Sequence, residues 1–573
     1  MPSERSGTNL NHIFTQPMKN LIVNGWSKHF RLLLIVIPVL YLFLGFYFNK
    51  LSGTYYVRSV DSEYIYFISG LSLARGHFLI GHIDNPATPL QYVVALSFKA
   101  THLIRQPENG IIDDAILNSE LYLKIANLVL LTLTSLFLLG AGTFVFRLTR
   151  QVSLAFLVQS APFISQLSLD NLSRFAPEAF LILPVVMMIC FILWVEDNQD
   201  SDGKKTAIIA GLIAGFGLSV KLTFFPLWLL PLFVLQKRHF LYLATALSSF
   251  FLMALPVTLQ ISRFWHWIKR LLFFSGQHGE GEKNFIDWNT FGPNITEIYN
   301  SNKFYFHVLA IFAVIFIIRV ILHRKDRSLL KLGAGVLAVI ALLLFMVGKH
   351  FEYRYFIMAL YLFPLILLLA VKMVLPGQWK YHKTFSGLVY FFTALYLLST
   401  QLALIPLKTM QISRDVDNKY KTLQFASTLP AGANRIIASS YYGGAFVEYA
   451  MMFTGAYAGK QKETYTRHFA GLYPNSWIYQ SWDRSLKSWG ASPAINENSA
   501  PFYVYLHSQT IGEQLFEDLA KIASPGIGFA TDTLYHNDYS DETILKVTVT
   551  QPNQTYLKNL AQENGGSHHM TGS

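Results

Sequence analysis

Apolar runs of roughly 17 to 25 residues, the length a helix needs to cross about 30 Å of hydrocarbon, recur from position 32 to just past 400. Reading these runs against charged breaks predicts spans at 32–48, 123–146, 154–169, 180–195, 207–220, 224–235, 241–259, 306–322, 329–347, 355–374 and 385–402. Pro226 and Pro231 interrupt the shortest of them. The pattern is that of a polytopic α-helical membrane protein with about eleven transmembrane helices. Two stretches of the long segment 49–122 read differently. Positions 89–104 are apolar but carry Gln91, Lys99 and His102, and with 61–75 they are expected to form amphipathic helices lying at the outer surface.

Beyond about 408 the apolar runs shorten and Asp, Asn, Ser, Lys and Glu return. Helices are expected at 422–427, 445–453 and 511–522, and strands at 435–438, 502–507 and 543–549. This defines a C-terminal soluble α/β domain over 408–564, following a cytoplasmic segment 1–31 and a membrane domain 32–407. Positions 565–573 read as a flexible tail, and 1–29 lack the apolar core and cleavage site of a signal peptide, so the first span is expected to stay as an anchor.

Composition supports the bilayer as solvent: 52% of the 573 residues are hydrophobic and 14% charged. The formal net charge of +12 is not gathered into a stripe with interleaved aromatics, which argues against nucleic acid. It is divided among short loops. Lys28 and Arg31, Arg147 and Arg150, Lys204 and Lys205, Lys237 and Arg238, Arg324, Lys325 and Arg327, and Lys380 and Lys383 all fall on one side. Basic loops mark the cytoplasm, so the N-terminus is expected inside, and 49–122, 262–303 and the α/β domain outside. The single cysteine, Cys190, excludes an intrachain disulfide or a Cys-based zinc site and reads as a packing residue.

Candidate chemistry gathers in the outer loops. Asp61, Glu63 and Asp84 are carboxylates at a membrane rim, suited to deprotonating an acceptor hydroxyl if their surroundings tune them. Lys221, Arg270, Lys349 and Arg354 fall at outer ends of predicted spans, where cations anchor helices or meet a phosphate. His82 and His350 lie near the candidate acids in sequence. Segment 277–283, Gln-His-Gly-Glu-Gly-Glu-Lys, offers oxygen and imidazole ligands to a divalent metal, Mg or Mn, or forms a mobile loop. The aromatic cluster from Tyr473 through Trp477 to Trp482 is a candidate acceptor platform.

The order of first span, acidic pair Asp61 and Glu63, Gly76-His77, then His82-Ile83-Asp84-Asn85-Pro86, resembles the GT-C superfamily of polyprenyl-phosphate-sugar-dependent glycosyltransferases. Within it, the chain is most similar to the protein mannosyltransferase and aminoarabinose transferase branch. The resemblance continues at Arg174-Phe175-Ala176-Pro177-Glu178 and at Lys349-His350-Phe351-Glu352-Tyr353-Arg354-Tyr355, and covers roughly 32–405. It implies a bilayer-bound donor such as undecaprenyl phosphate carrying a sugar, an extracytoplasmic acceptor, and direct displacement with an outer-loop Asp as base. Asp61 matches that Asp best, although Ser62 separates two acids that the family usually has adjacent, which leaves Glu63 and Asp84 open. Arg354, Lys349, Lys221 and Arg270 would meet the donor phosphate. His82, Asn85, Arg174, Glu178, His350 and Tyr355 would contact substrate. The implied site of action is a bacterial inner membrane. A transporter or lipid flippase is the rival reading, but no half-to-half repeat is visible and the acids cluster in a loop and not mid-span. A receptor or assembly scaffold with a binding tail is a third, and it leaves Asp61, Asp84 and Arg354 without a role.

Overall fold

The computed structural model describes residues 32–550, apart from 59, 199–201, 277, 278, 280, 323–326, 376–380, 431, 440–445, 490–494, 496–499 and 524–526. The expected cytoplasmic segment 1–31, the tail 565–573 and positions 277, 278 and 280 of the candidate metal-binding segment therefore lie outside the described residues.

Seven helices among the described residues are long and apolar enough to cross a membrane: Leu32–Leu51, Ser119–Thr149, Pro177–Asn198, Lys303–Leu322, Arg327–Lys349, Tyr353–Val374 and His382–Ala426. The last extends through the expected boundary near 408. The other expected spans are shorter or broken. Lys204–Val220 and His239–Met253 are helices, 222–234 is a 3-10 turn followed by a short helix, and 152–170 is cut at Ser160-Ala161-Pro162. Outward faces are apolar, with Phe240, Ile321, Leu322 and Leu32 all well exposed. Only 11% of the apolar window in Lys303–Leu322 is buried, as a lipid-facing helix requires.

Small residues let two of the shorter helices touch. A Cβ at Gly215 would stand 2.4 Å from the Ala246 carbonyl oxygen, and one at Gly211 would stand 2.7 Å from that of Tyr242. Lys204–Val220 and His239–Met253 therefore pack nearly backbone to backbone, where dispersion contacts replace the hydrophobic effect that lipid does not provide.

The segment 49–122 departs from expectation in one respect. Helix Thr88–Arg105 exposes Leu96, Leu103 and Ile104 on one side, as an amphipathic helix should. Helix Glu63–Ala74 instead has all its residues buried. It is covered by Thr88–Arg105 on one side and by helix Val447–Gly455 of the C-terminal region on the other. Thr454 donates its hydroxyl to the Tyr64 carbonyl, and Ser72 and Tyr465 share a hydroxyl hydrogen bond of 3.1 Å.

Among the described residues the C-terminal sheet has six strands: β1 Arg435–Ser439, β2 Ser476–Gln480, β3 Ser485–Lys487, β4 Phe502–Leu506, β5 Gly528–Asn537 and β6 Glu542–Thr550, in the order β3-β2-β1-β4-β6-β5. β2, β1 and β4 run parallel, while β3, β6 and β5 pair antiparallel with their neighbours. Side chains alternate between faces as the pleat requires. Ile436, Val504 and Leu506 pack with Leu515 and Leu519 of helix Gln509–Ile522. Ile437, Ile478, Tyr505 and Ile544 face the other way and join the core that continues into the membrane helices. The aromatic cluster around 473–482 is largely structural. Trp477 lies on β2 against Phe502, Tyr473 packs on Trp489, and Trp482 packs on Phe453.

Candidate active site

Asp61 and Glu63 stand one residue apart yet face different partners, because Ser62 between them holds φ at 71°, a conformation an L-residue adopts at a cost of about 1–3 kcal/mol. Glu63 turns inward and is buried. Its carboxylate accepts from Arg174 Nε at 3.0 Å and Nη2 at 3.2 Å, from the Phe175 amide at 3.2 Å and from Ser62 Oγ at 3.1 Å. Burial works against the Arg174 charge, but Glu63 outweighs it and holds the guanidinium above its ordinary pKa. Arg174 also donates to the Asp61 carbonyl at 3.0 Å, which locks the strained turn.

Asp61 turns outward. Its side chain is 33% exposed, and its Oδ2 lies 3.6 Å from Arg354 Nη2. Behind it is a buried network. Pro177 opens helix Pro177–Phe180, placing Glu178 at its N-terminal end, where the helix dipole favours a carboxylate. Glu178 Oε1 accepts from Lys221 Nζ and lies 3.4 Å from Arg354 Nε, while its Oε2 has no hydrogen-bond partner among the described residues. Lys221, at the end of helix Lys204–Val220, places its ammonium 3.8 Å from the Tyr355 ring centroid. Glu352 completes the set, 3.5 Å from Arg354 Nε. Residues from four separate stretches, near 61, 178, 221 and 354, are thus brought together. Glu352, a third acid on Arg354 beside Asp61 and Glu178, was not singled out from the sequence as a site residue.

The 77–87 loop is pinned from three sides. The Gly81 amide donates to Tyr457 O at 3.0 Å, Arg263 donates to Gly81 O at 2.6 Å, and the Ala87 amide donates to Val220 O at 3.0 Å. A Cβ at Gly81 would stand 2.4 Å from Tyr457 O, so the loop approaches the C-terminal region as only glycine can. His82 sits edge-on between Tyr66, at 5.5 Å, and Tyr457, at 5.8 Å. Burial pushes its imidazole below the ordinary pKa, against the opposite pull of Asp84 and Asp61. Among the described residues the Asp84 carboxylate and the Asn85 amide make no hydrogen bond, and both are half-buried. Tyr457 was missed in the sequence, since nothing local distinguishes it from other tyrosines.

The remaining candidates are held elsewhere. Lys349 donates to Leu271 O and Leu272 O at 2.9 and 2.8 Å. His350 has ring nitrogens 2.9 Å from Gly276 O and from Leu271 O. Arg270 donates to Gly279 O at 2.9 Å. All three bind backbone carbonyls of the 271–279 turn, which they brace at the end of helix Ile261–Phe273. No group of three or more His, Cys, Asp or Glu suited to a metal ion occurs among the described residues.

The geometry therefore offers a part-exposed carboxylate next to a guanidinium and a buried ammonium, a pairing of proton acceptor and anion-binding group. No family model matches the chain, and no curated protein does. Among solved structures, it is similar to ArnT from Cupriavidus metallidurans bound to undecaprenyl phosphate. The identity is 12% over 91% of this chain and 98% of that chain, with a TM-score of 0.43. A likeness at that level assigns no residue role.

Proposed function

We propose that the chain is an integral-membrane glycosyltransferase that moves one sugar from a polyprenyl-phosphate donor to an acceptor outside the cytoplasmic membrane. The observation that carries this reading is the Asp61 carboxylate, part-exposed beside Arg354, in an outer loop that the family resemblance independently marks. Asp61 takes the proton of an acceptor hydroxyl, whose oxygen attacks the anomeric carbon. The bond from that carbon to the phosphate oxygen breaks, and the configuration inverts. Polyprenyl phosphate leaves, its developing charge met by Arg354, with Lys221 and Glu178 fixing the position of the guanidinium. Glu63 shapes the turn through Arg174 instead of serving as base. Asp84, Asn85, His82 and Tyr355 line the approach to substrate. Lys349, His350 and Arg270 brace the neighbouring loop. The N-terminus lies in the cytoplasm and the sheet domain outside, in the order that the basic loops indicate.

The test is purified protein with a synthetic polyprenyl-phosphate sugar and a panel of acceptors, wild type beside Asp61→Asn. Transfer by the wild type that Asp61→Asn abolishes supports the reading. Transfer that survives the substitution removes Asp61 as base, and no transfer from any lipid donor removes the reading itself.

A further inference from the structure

A groove of about 480 Å³ opens between three membrane helices, and none of its lining residues belongs to the candidate active site. Its floor is helix Ile182–Asn198, which packs against both Ser119–Thr149 and Lys204–Val220. Met187, Cys190, Phe191 and Trp194 line the floor at i, i+3, i+4 and i+7, so one face of that helix supplies it. Phe137, Gly140 and Phe144 form one wall and Lys205, Ile209 and Ile213 the other, again at helical spacing. Room at the first wall comes from a missing side chain, since a Cβ at Gly140 would meet nothing within 4 Å. Leu136 and Phe144 on one rim and Ile208 and Leu212 on the other are exposed, so the groove opens sideways into hydrocarbon.

The two strong hydrogen-bond donors of the lining, Lys205 and Trp194, stand together at one end, where helix Lys204–Val220 begins and helix Ile182–Asn198 finishes. Among the described residues neither the Lys205 ammonium nor the Trp194 indole N–H has a partner. Of the acids at that end, Glu196 pairs with Lys372 at 2.6 Å and Asp202 with Lys237 at 2.9 Å. Asp197 is exposed and does not line the groove. Lys204 and Arg147, both exposed, add positive charge there.

An apolar trough with cations at one end matches an acyl chain below an anionic head group. It does not match the sugar donor of the reaction above. Lys221, in the network around Glu178, closes the helix that Lys205 opens, which separates the two positions by about 24 Å along the axis. We propose that the groove holds one acyl chain of an anionic phospholipid, with the head-group phosphate at Lys205 and Trp194. Assigning that lipid to the cytoplasmic leaflet rests on the orientation given by the basic loops; the site itself does not.

The test is a phosphatidylglycerol carrying a diazirine in its acyl chain, photolysed with the full-length protein in nanodiscs of phosphatidylcholine. Adducts are located by mass spectrometry of peptides. We expect labelling concentrated at 137–144 and 187–194, suppressed by unlabelled phosphatidylglycerol and much stronger than with the matching phosphatidylcholine probe. Lys205→Gln should lower it about fivefold, the effect of one basic residue beside an anionic head group. Gly140→Leu, whose side chain has room to enter the groove, should remove it. Lys205 is exposed, so its substitution reports even if Gly140→Leu fails to fold. Equal labelling by the phosphatidylcholine probe, labelling that Lys205→Gln leaves unchanged, or a probe displaced only by a polyprenyl phosphate overturns the proposal. Sugar transfer is not the readout, so the outcome is independent of the glycosyltransferase reading.

Discussion

The two ion-pair networks flanking Ser62 are built from the same residue types and do different work. Around Glu63 every carboxylate lone pair that faces the protein is met, by a guanidinium, an amide and a hydroxyl, and the acid is buried. Around Glu178, two cations crowd one carboxylate oxygen, the other oxygen has no hydrogen-bond partner among the described residues, and the guanidinium reaches out to a part-exposed Asp61. A closed network holds a shape, whereas an open one keeps charge available to a ligand.

The largest expected contrast comes from the acids themselves. Asp61→Asn should lower kcat for sugar transfer by about 10²–10⁴-fold, the usual contribution of a positioned general base, while leaving the apparent Tm where it was. Glu63→Ala should do the reverse: it strands Arg174 half inside the protein and should cost about 3 kcal/mol of stability, read as a lower Tm and reduced recovery from the membrane. A Glu63→Ala protein as stable as wild type would break the comparison.

A smaller effect is expected from the open network. Arg354→Ala should raise KM for the lipid donor by about 10–100-fold, as loss of a charge-assisted contact worth about 1.5–3 kcal/mol would, with KM for the acceptor little changed. The reverse split would move the donor phosphate away from Arg354.

The smallest effect is one of pH. Because burial holds His82 below its ordinary pKa of 6.5, the unfolded chain binds more protons than the folded one as the imidazole titrates, so stability falls as pH drops below about 6.5. His82→Phe, which keeps an aromatic ring between Tyr66 and Tyr457, should flatten the Tm profile between about pH 5 and 7. An unchanged slope would show that other groups carry it.

The membrane class was legible because its cause is local: a run of apolar residues must find hydrocarbon wherever it folds. The strands Arg435–Ser439, Phe502–Leu506 and Glu542–Thr550 were legible for the same reason, as β-rich runs between polar breaks. Ser476–Gln480 was instead read as a ligand platform, because aromatics on a buried strand and aromatics in a binding face look alike in one dimension. Helix Glu63–Ala74 was expected at the surface. Its burial depends on Val447–Gly455, which lies almost four hundred positions away in the chain.

The acids and cations of the candidate site were visible as residue types near predicted span ends, and their sorting was not. Lys349 and Arg354 are near neighbours in sequence, yet one braces backbone carbonyls and the other reaches Asp61. The sequence by itself determined that this chain lives in a bilayer, that its acids lie in a loop and that a sheet-forming region follows, since hydropathy and periodicity are properties of contiguous residues. Only the tertiary structure decided that Asp61 is open, that Glu63 is sealed, and that Lys221 and Arg354 meet at Glu178. Those outcomes depend on which distant side chains arrive to neutralise each charge.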